Sequence, residues 1–341
     1  MRTARLYGPG DIRVEDTANP VPMPGWAVLR VEACGVCPSD VRAYKGMRPT
    51  GGPWTPGHEV AGVVVGTADH GAGAASVGDR VVADWRRVCG HCYYCERDAA
   101  NFCERRDEFP IAGFAEFTVV PQDVVHRLSD SLSFDEASFC EPLACVLNAH
   151  RALPLPLGSD VVVIGAGPIG LLHLQVAIHR GARVIVADLL EKRRQAARGL
   201  GAADAIDASD GDPVGALKEL TGGHGATAVI VTAGSAAAAE MGIAMAGKGG
   251  TVNLFAGIHP PTTIQLDPNL LHYSQVGLTG SHDYRPSDFS TALRLIERGI
   301  VSVAPLVTGV YSLTDIARAF EVTISQHELK SIVHPNGASQ I

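Results

Sequence analysis

Apolar and polar positions follow three textures along the chain. Over residues 1 to about 150, short alternating or continuous apolar runs (WAVLRVEA, EVAGVVVG, DRVVAD, FAEFTVVP) are separated by Gly, Pro and Asp. A period of two bounded by turn residues predicts strands, and strands this short and frequent predict a partly open antiparallel barrel. The segment SLSFDEASFCEPLACVLNAHRAL changes to helical spacing and stops before Pro154 and Pro156. From about 156 to 285, VVVIG, RVIVADL, AVIVTAG, TVNLFAG and QVGLTGS read as strands. PIGLLHLQVAIHRG and EKRRQAARGLG read as helices, the first with Gly181 just past its end. Alternation at this pitch predicts an α/β fold with a doubly wound parallel sheet. The tail returns to the first texture, with the amphipathic helix SDFSTALRLIERGI and then short strands. The predicted organisation is a β-rich domain over 1–153, a parallel-sheet domain over 154–288, and completion of the first domain by 289–341.

Length and charge narrow the function classes. A chain of 341 residues holds two domains with ample core. Lys and Arg number 28 against 36 Asp and Glu, and the net charge of −8 disfavours a nucleic-acid partner. The apolar stretch 161–178 approaches a membrane span in length, but Gly165, Gly167, Pro168 and Gly170 break it and His173 and Gln175 interrupt it. It reads as strand, glycine turn and buried helix, so no membrane association is expected. The N-terminus has neither an apolar core nor a cleavage pattern. The expected compartment is the reducing cytoplasm, where thiols bind metal rather than pair.

Three groups of residues carry chemistry. In CGHCYYCERDAANFC, Cys89, Cys92 and Cys95 are spaced by two residues, and Cys103 follows after seven. One short loop can wrap these four thiolates around a tetrahedral Zn²⁺, and a closed Cys₄ site is structural. Gly165-Ala-Gly167-Pro168-Ile169-Gly170 lies between a strand and a helix. There Gly165 permits the turn, Gly167 admits a pyrophosphate, and Gly170 lets the helix pack on the sheet. Asp188 ends the next strand, eighteen residues past Gly170. A carboxylate there hydrogen-bonds adenosine ribose hydroxyls and repels a 2′-phosphate, which favours NAD over NADP. Arg193 keeps NADP open, because a guanidinium could contact adenine or ribose or tolerate that phosphate. Lastly, Cys37, His58, Glu59 and Glu141 offer thiolate, imidazole and carboxylate donors. Three such ligands leave one position open for substrate.

GVCPSD (35–40), GHEVAGVV (57–64), the Cys₄ loop (about 85–110) and GAGPIG (165–170) together resemble the zinc-dependent medium-chain dehydrogenases of the alcohol dehydrogenase superfamily. The resemblance spans essentially the whole chain, and Glu141-Pro142 points to the polyol, sorbitol and threonine dehydrogenase branch. It implies a GroES-like catalytic domain and a Rossmann domain, two zinc ions per chain, and a homodimer or homotetramer joined through a sheet edge near 275–281. It implies that Cys37 and His58 bind catalytic zinc. The third ligand is then Glu59 or Glu141, the other close enough to exchange with it or to hold the metal water. Asp40 is expected to orient the ligating histidine. The implied reaction moves hydride from a secondary alcohol to NAD, with zinc as Lewis acid and Ser39 taking the hydroxyl proton and passing it towards the cofactor ribose. An alternative role for Ser39 is a helix N-cap.

Two positions depart from the family. Pro38 stands where a glycine is usual, and Arg42 stands where many relatives carry a relay histidine. An arginine cannot accept a proton, so Arg42 is expected to hold a cofactor phosphate or a substrate oxygen instead. The substrate, a small alcohol or its ketone, is expected to meet Tyr44, Trp54, Phe114 and the run His282-Asp283-Tyr284. Polyols, cyclitols, aminocyclitols and amino alcohols fit that polar run. The remaining readings are an NADP-dependent carbonyl reductase and a non-catalytic nucleotide-binding protein.

Overall fold

Two packing units divide the chain in this computed structural model, which describes residues 1–47, 52–68, 75–109 and 111–337. Pro110, the end of the predicted cysteine lobe, and residues 338–341 lie outside the described residues. One unit comprises Met1–Ala144 with Arg285–Ile341, and the other Cys145–Tyr284. The first division falls inside the helix Cys140–Arg151 rather than at the prolines that follow it. Prolines mark where a helix must stop, whereas contacts decide which core each turn of it joins. The helical segment before them is itself broken. Ser133 caps a short helix, Phe134–Ala137, through a reciprocal pair with Glu136, and a new helix starts at Cys140 after Phe139 turns fully inward.

The first unit is built on a seven-stranded sheet. Its central strand, Trp26–Gly35, pairs antiparallel with Glu59–Thr67, Phe117–Pro121 and Lys330–His334. Val307–Ser312 runs parallel to Lys330–His334, so the expected antiparallel set contains one parallel pair. That pairing is possible because the helix Ile316–Ser325 supplies the crossover. Leu6, Leu29, Val31, Val60, Val64, Phe114 and Phe320 form the core of this unit.

The second unit holds a six-stranded parallel sheet. The strands follow the spatial order Asp204–Asp207, Arg183–Asp188, Asp160–Ile164, Ala226–Val231, Ala246–Leu254 and Gly277–Gly280. Ranked by position in the chain this is 3-2-1-4-5-6, the doubly wound order whose ligand crevice opens between strands 1 and 4. Asp160–Ile164 is buried from its second residue onward, which is why it reads as an unbroken apolar run rather than an alternating one. No helix among the described residues is long and apolar enough to cross a membrane.

Candidate active site

The glycine turn of the second unit sits at that crevice. Gly165 has φ +97°, a conformation side chains resist, and it turns the chain from strand into helix. Gly167 caps the helix Pro168–His179, with Pro168 in its first turn followed by Ile169. Gly170 is where the helix meets the strand. A Cβ there would lie 1.8 Å from the Gly165 carbonyl oxygen and 3.2 Å from Thr232 Oγ1. Thr232 follows the neighbouring strand and donates its hydroxyl to that same carbonyl at 2.8 Å. It therefore locks the turn from strand 4, a role with no local signal in the sequence. Asp188 accepts from the Ala166 N–H at 2.7 Å and the Leu190 N–H at 2.8 Å, fixing the end of its strand against the turn. Arg193 Nη1 lies 3.9 Å from Asp188 Oδ2. Its Nε is buried without a hydrogen-bond partner, and nothing lies nearer than 3.9 Å to a Cβ built on Gly167. Open space, an unused donor and a helix N-terminus together suit a phosphate-bearing dinucleotide.

In the first unit, strand register brings the metal donors together. Gly35 and Glu59 are paired at the end of the two antiparallel strands. Cys37 lies two residues beyond that pair on one strand, and His58 directly before it on the other. Ligand atoms of Cys37, His58 and Glu59 lie within 4.8 Å of one another. Cys37 also caps the helix Pro38–Tyr44, so Ser39 is inside the helix and the N-cap role belongs to Cys37. Asp40, on the same helix, accepts from the Cys37 N–H at 3.2 Å and the Gly57 N–H at 3.3 Å, and lies 3.7 Å from His58 Nδ1. Burial alone would lower the His58 pKa, but the charges of Asp40 and Cys37 outweigh it and hold the imidazole well above its usual range. A field that favours a proton on His58 also favours a metal cation in its place.

Glu141 approaches from the helix Cys140–Arg151, with Oε1 4.0 Å from His58 Nε2. It accepts from Trp85 Nε1 at 3.4 Å and lies 3.6 Å from Arg86 Nη2. Lys330, from the last strand, pairs with Glu59. Trp85, Arg86 and Lys330 were not singled out from the sequence, because each reaches the site through register or a turn rather than a local motif. Asp40, Glu59, Glu141 and a Cys37 thiolate carry four negative charges, against two positive charges on Arg86 and Lys330. A divalent cation with neutral His58 balances the cluster, so donor set and charge both fit zinc.

The cysteine lobe fits a second zinc. Sγ of Cys103 lies 3.5 Å from that of Cys89 and 3.9 Å from that of Cys92, and all four thiol sulfurs lie within 4.8 Å of one another. A tetrahedron with Zn–S bonds of about 2.3 Å has edges of about 3.8 Å, so these separations suit metal rather than disulfides. All four cysteines are unpaired. The Cys89 N–H donates to Cys103 Sγ at 3.3 Å, as a thiolate ligand requires. Cys103→Ser is expected to lower zinc content by one ion per chain and the melting temperature by on the order of 5–10 °C. Metal analysis with thermal unfolding checks this, and an unchanged zinc count would show the lobe empty of metal.

Among the other expected site residues, the aromatic Tyr44, Trp54 and Phe114 pack on the core of the first unit. Phe114 is fully buried and Tyr44 nearly so, both packed on Phe320 in the core, so neither ring is free to line a pocket. Trp54 is half-buried against the same core. His282 and Asp283 belong to the other unit, where their carbonyls accept from Asn148. Arg42 is half-buried and has no ion pair among the described residues.

Comparison with known proteins places these geometries in a family. Residues 23–130 match the model of the alcohol dehydrogenase GroES-like domain, and residues 168–298 that of the zinc-binding dehydrogenase. The chain is 32% identical to a sorbitol dehydrogenase of Halalkalibacterium halodurans over 96% of its own length and 97% of that protein. It is 31% identical to an L-threonine 3-dehydrogenase of Pyrococcus abyssi, covering 94% of each. A solved structure assigned as a zinc-binding dehydrogenase of Sinorhizobium meliloti, bound to NADP, superposes with a TM-score of 0.91 at 29% identity over 98% of this chain and 99% of that one. The two domains, the turn at Gly165–Gly170 and the donor cluster at Cys37 thus share one explanation: the chain belongs to the zinc-dependent medium-chain dehydrogenases of the polyol branch, NAD(P)-dependent oxidoreductases acting on the CH–OH group of alcohols.

Proposed function

We propose that this dehydrogenase oxidises a secondary alcohol of polyol, cyclitol or amino-alcohol type, using NAD and a zinc ion held by Cys37, His58 and Glu59. The observation that carries this reading is the convergence of those three donors within 4.8 Å, with Asp40 behind His58. Zinc held there would supply Lewis acidity towards an alcohol oxygen, and a dinucleotide held at the Gly165–Gly170 turn would supply the hydride acceptor. The chain's own residues do the rest. Asp40 orients His58 through Nδ1. Glu141 lies beside the trio, held by Trp85 and Arg86, where it can exchange with Glu59 or receive a substrate hydroxyl. Ser39, in the first turn of the Cys37-capped helix, relays the hydroxyl proton, accepting it as its own hydroxyl proton passes towards the cofactor ribose. Arg42 holds a phosphate of the cofactor or a substrate oxygen. The Cys₄ lobe carries the second zinc.

The choice of NAD rests on the Asp188 carboxylate at the end of its strand, and Arg193 beside it supports NADP as the second reading. For Asp188→Asn, kcat/KM with NAD⁺ is expected to fall about tenfold and the preference to move toward NADP⁺, since a charged acceptor is lost. Steady-state kinetics with both cofactors checks this, and an unchanged ratio removes Asp188 as the selector. Association into a homodimer or homotetramer is supported by the open edge strand Gly277–Gly280, where Leu278 is exposed, and sedimentation as a monomer would remove it. Residence in the cytoplasm is supported by the four lobe cysteines, whose sulfurs converge as metal ligands do. A screen of polyols, cyclitols and amino alcohols with each oxidised cofactor, followed by reduced-nicotinamide absorbance, tests the whole reading. Turnover only with primary alcohols would sink it.

A further inference from the structure

Lys330 is a buried lysine whose ammonium reaches the metal donors. Its strand pairs antiparallel with the strand that ends at Gly35, with Ile332 opposite Gly35 and the Val36 N–H bonded to the Ser331 carbonyl at 3.0 Å. Continuing that register places Lys330 opposite Cys37. Glu59 pairs with Gly35 from the other side. Lys330 and Glu59 thus flank one strand and meet across it as an ion pair, and the Lys330 Nζ also donates to the Val36 carbonyl at 3.1 Å. They meet over Gly35 because it has no side chain. A Cβ there would stand 1.9 Å from Glu59 Oε2 and 2.8 Å from the Lys330 Cε. Lys330 and Glu59 are 5% and 1% exposed, so water does not screen the pair.

A cation held against a carboxylate offsets its charge and weakens it as a ligand, the reverse of the effect of a carboxylate behind a ligating histidine. We propose that Lys330 is a positioning residue that keeps Glu59 a weak, exchangeable ligand of the Cys37–His58 zinc site. Arg86 likewise lies 3.6 Å from Glu141, which also accepts from Trp85 Nε1. Each carboxylate is therefore held by a buried cation, which keeps it from closing the site permanently against substrate. The inference rests on zinc occupying that site. It goes further in assigning Lys330 a direction of effect that a purely structural lysine does not have. Without Lys330, Glu59 is a buried carboxylate whose remaining counter-charge is the metal. It should grip the metal harder.

The test uses zinc-loaded wild type, Lys330→Met and Lys330→Arg, mixed with excess chelator while released zinc is followed by a colorimetric indicator. Cys37→Ser, carrying only the lobe zinc, identifies the lobe phase. Lys330→Met is expected to release the other zinc about tenfold more slowly than wild type and to show lower kcat, whereas Lys330→Arg restores both. Lys330→Gln, which keeps a donor without the charge, gives the same comparison at intermediate size if the methionine variant does not fold. Release from Lys330→Met or Lys330→Gln that is equal to wild type or faster overturns the inference. A wild type with no second zinc phase overturns the underlying metal reading instead, so the two failures are distinguishable.

Discussion

Cys37→Ser is expected to remove one of two zinc ions per chain and to lower kcat/KM by about a thousandfold or more, while the fold survives. Cys37 is the thiolate among three donors that converge within 4.8 Å, and a serine hydroxyl is a neutral, harder ligand. Lewis-acid stabilisation is worth several kcal/mol, and about 4 kcal/mol corresponds to a thousandfold in rate. The helix Pro38–Tyr44 should persist, because its cap contact to Asp40 comes from the backbone N–H of residue 37, which serine retains. Zinc analysis, circular dichroism and kinetics on one preparation check the three parts together. Full activity with one zinc would remove Cys37 from the site.

Gly170→Ala should be comparably damaging in the other unit. The added Cβ would lie 1.8 Å from the Gly165 oxygen and 2.9 Å from its carbon, and these are backbone atoms that cannot rotate away. The helix Pro168–His179 must move off the strand Asp160–Ile164, or the turn must open and break the Thr232 hydrogen bond. Overpacking of this kind costs about 3 kcal/mol or more. Cofactor affinity should fall on the order of 100-fold, because the backbone N–H groups that face the phosphates no longer converge. Fluorescence titration with reduced cofactor, beside thermal unfolding, measures both effects. Tight binding with an unchanged melting temperature would show that the turn tolerates a side chain.

Much of this architecture was legible from patterning because the relevant signals are local. The central parallel strands Asp160–Ile164, Arg183–Asp188 and Ala226–Val231 are buried on both faces and read as apolar runs. The turn needs glycine within six residues, and the lobe needs its four cysteines within one loop. What escaped was set by register between distant segments. Lys330 sits in an unremarkable run near the C-terminus, and only its ion pair with Glu59 over Gly35 gives it meaning. Gly35 reads as a motif residue, yet its lack of a side chain is what lets Glu59 and Lys330 meet. Thr232 reaches the glycine turn from strand 4. Aromatic side chains such as Tyr44 and Phe114 suit both pockets and cores, and composition cannot separate the two. The structure places both in the core with Phe320. The helix cap at Cys37, rather than Ser39, follows from where the strand Trp26–Gly35 ends.

The central claim is that two separate zinc sites exist and that the one at Cys37, His58 and Glu59 carries the reaction. Timed removal of metal by a chelator, with zinc content by native mass spectrometry and activity measured on the same samples, tests it most directly. Two zinc ions per chain are expected at the start, with activity lost in proportion to the first ion released. The folded one-zinc protein should be inactive and should recover on adding zinc back. A chain that holds a single zinc, or one that keeps full activity after the first ion has left, would contradict it.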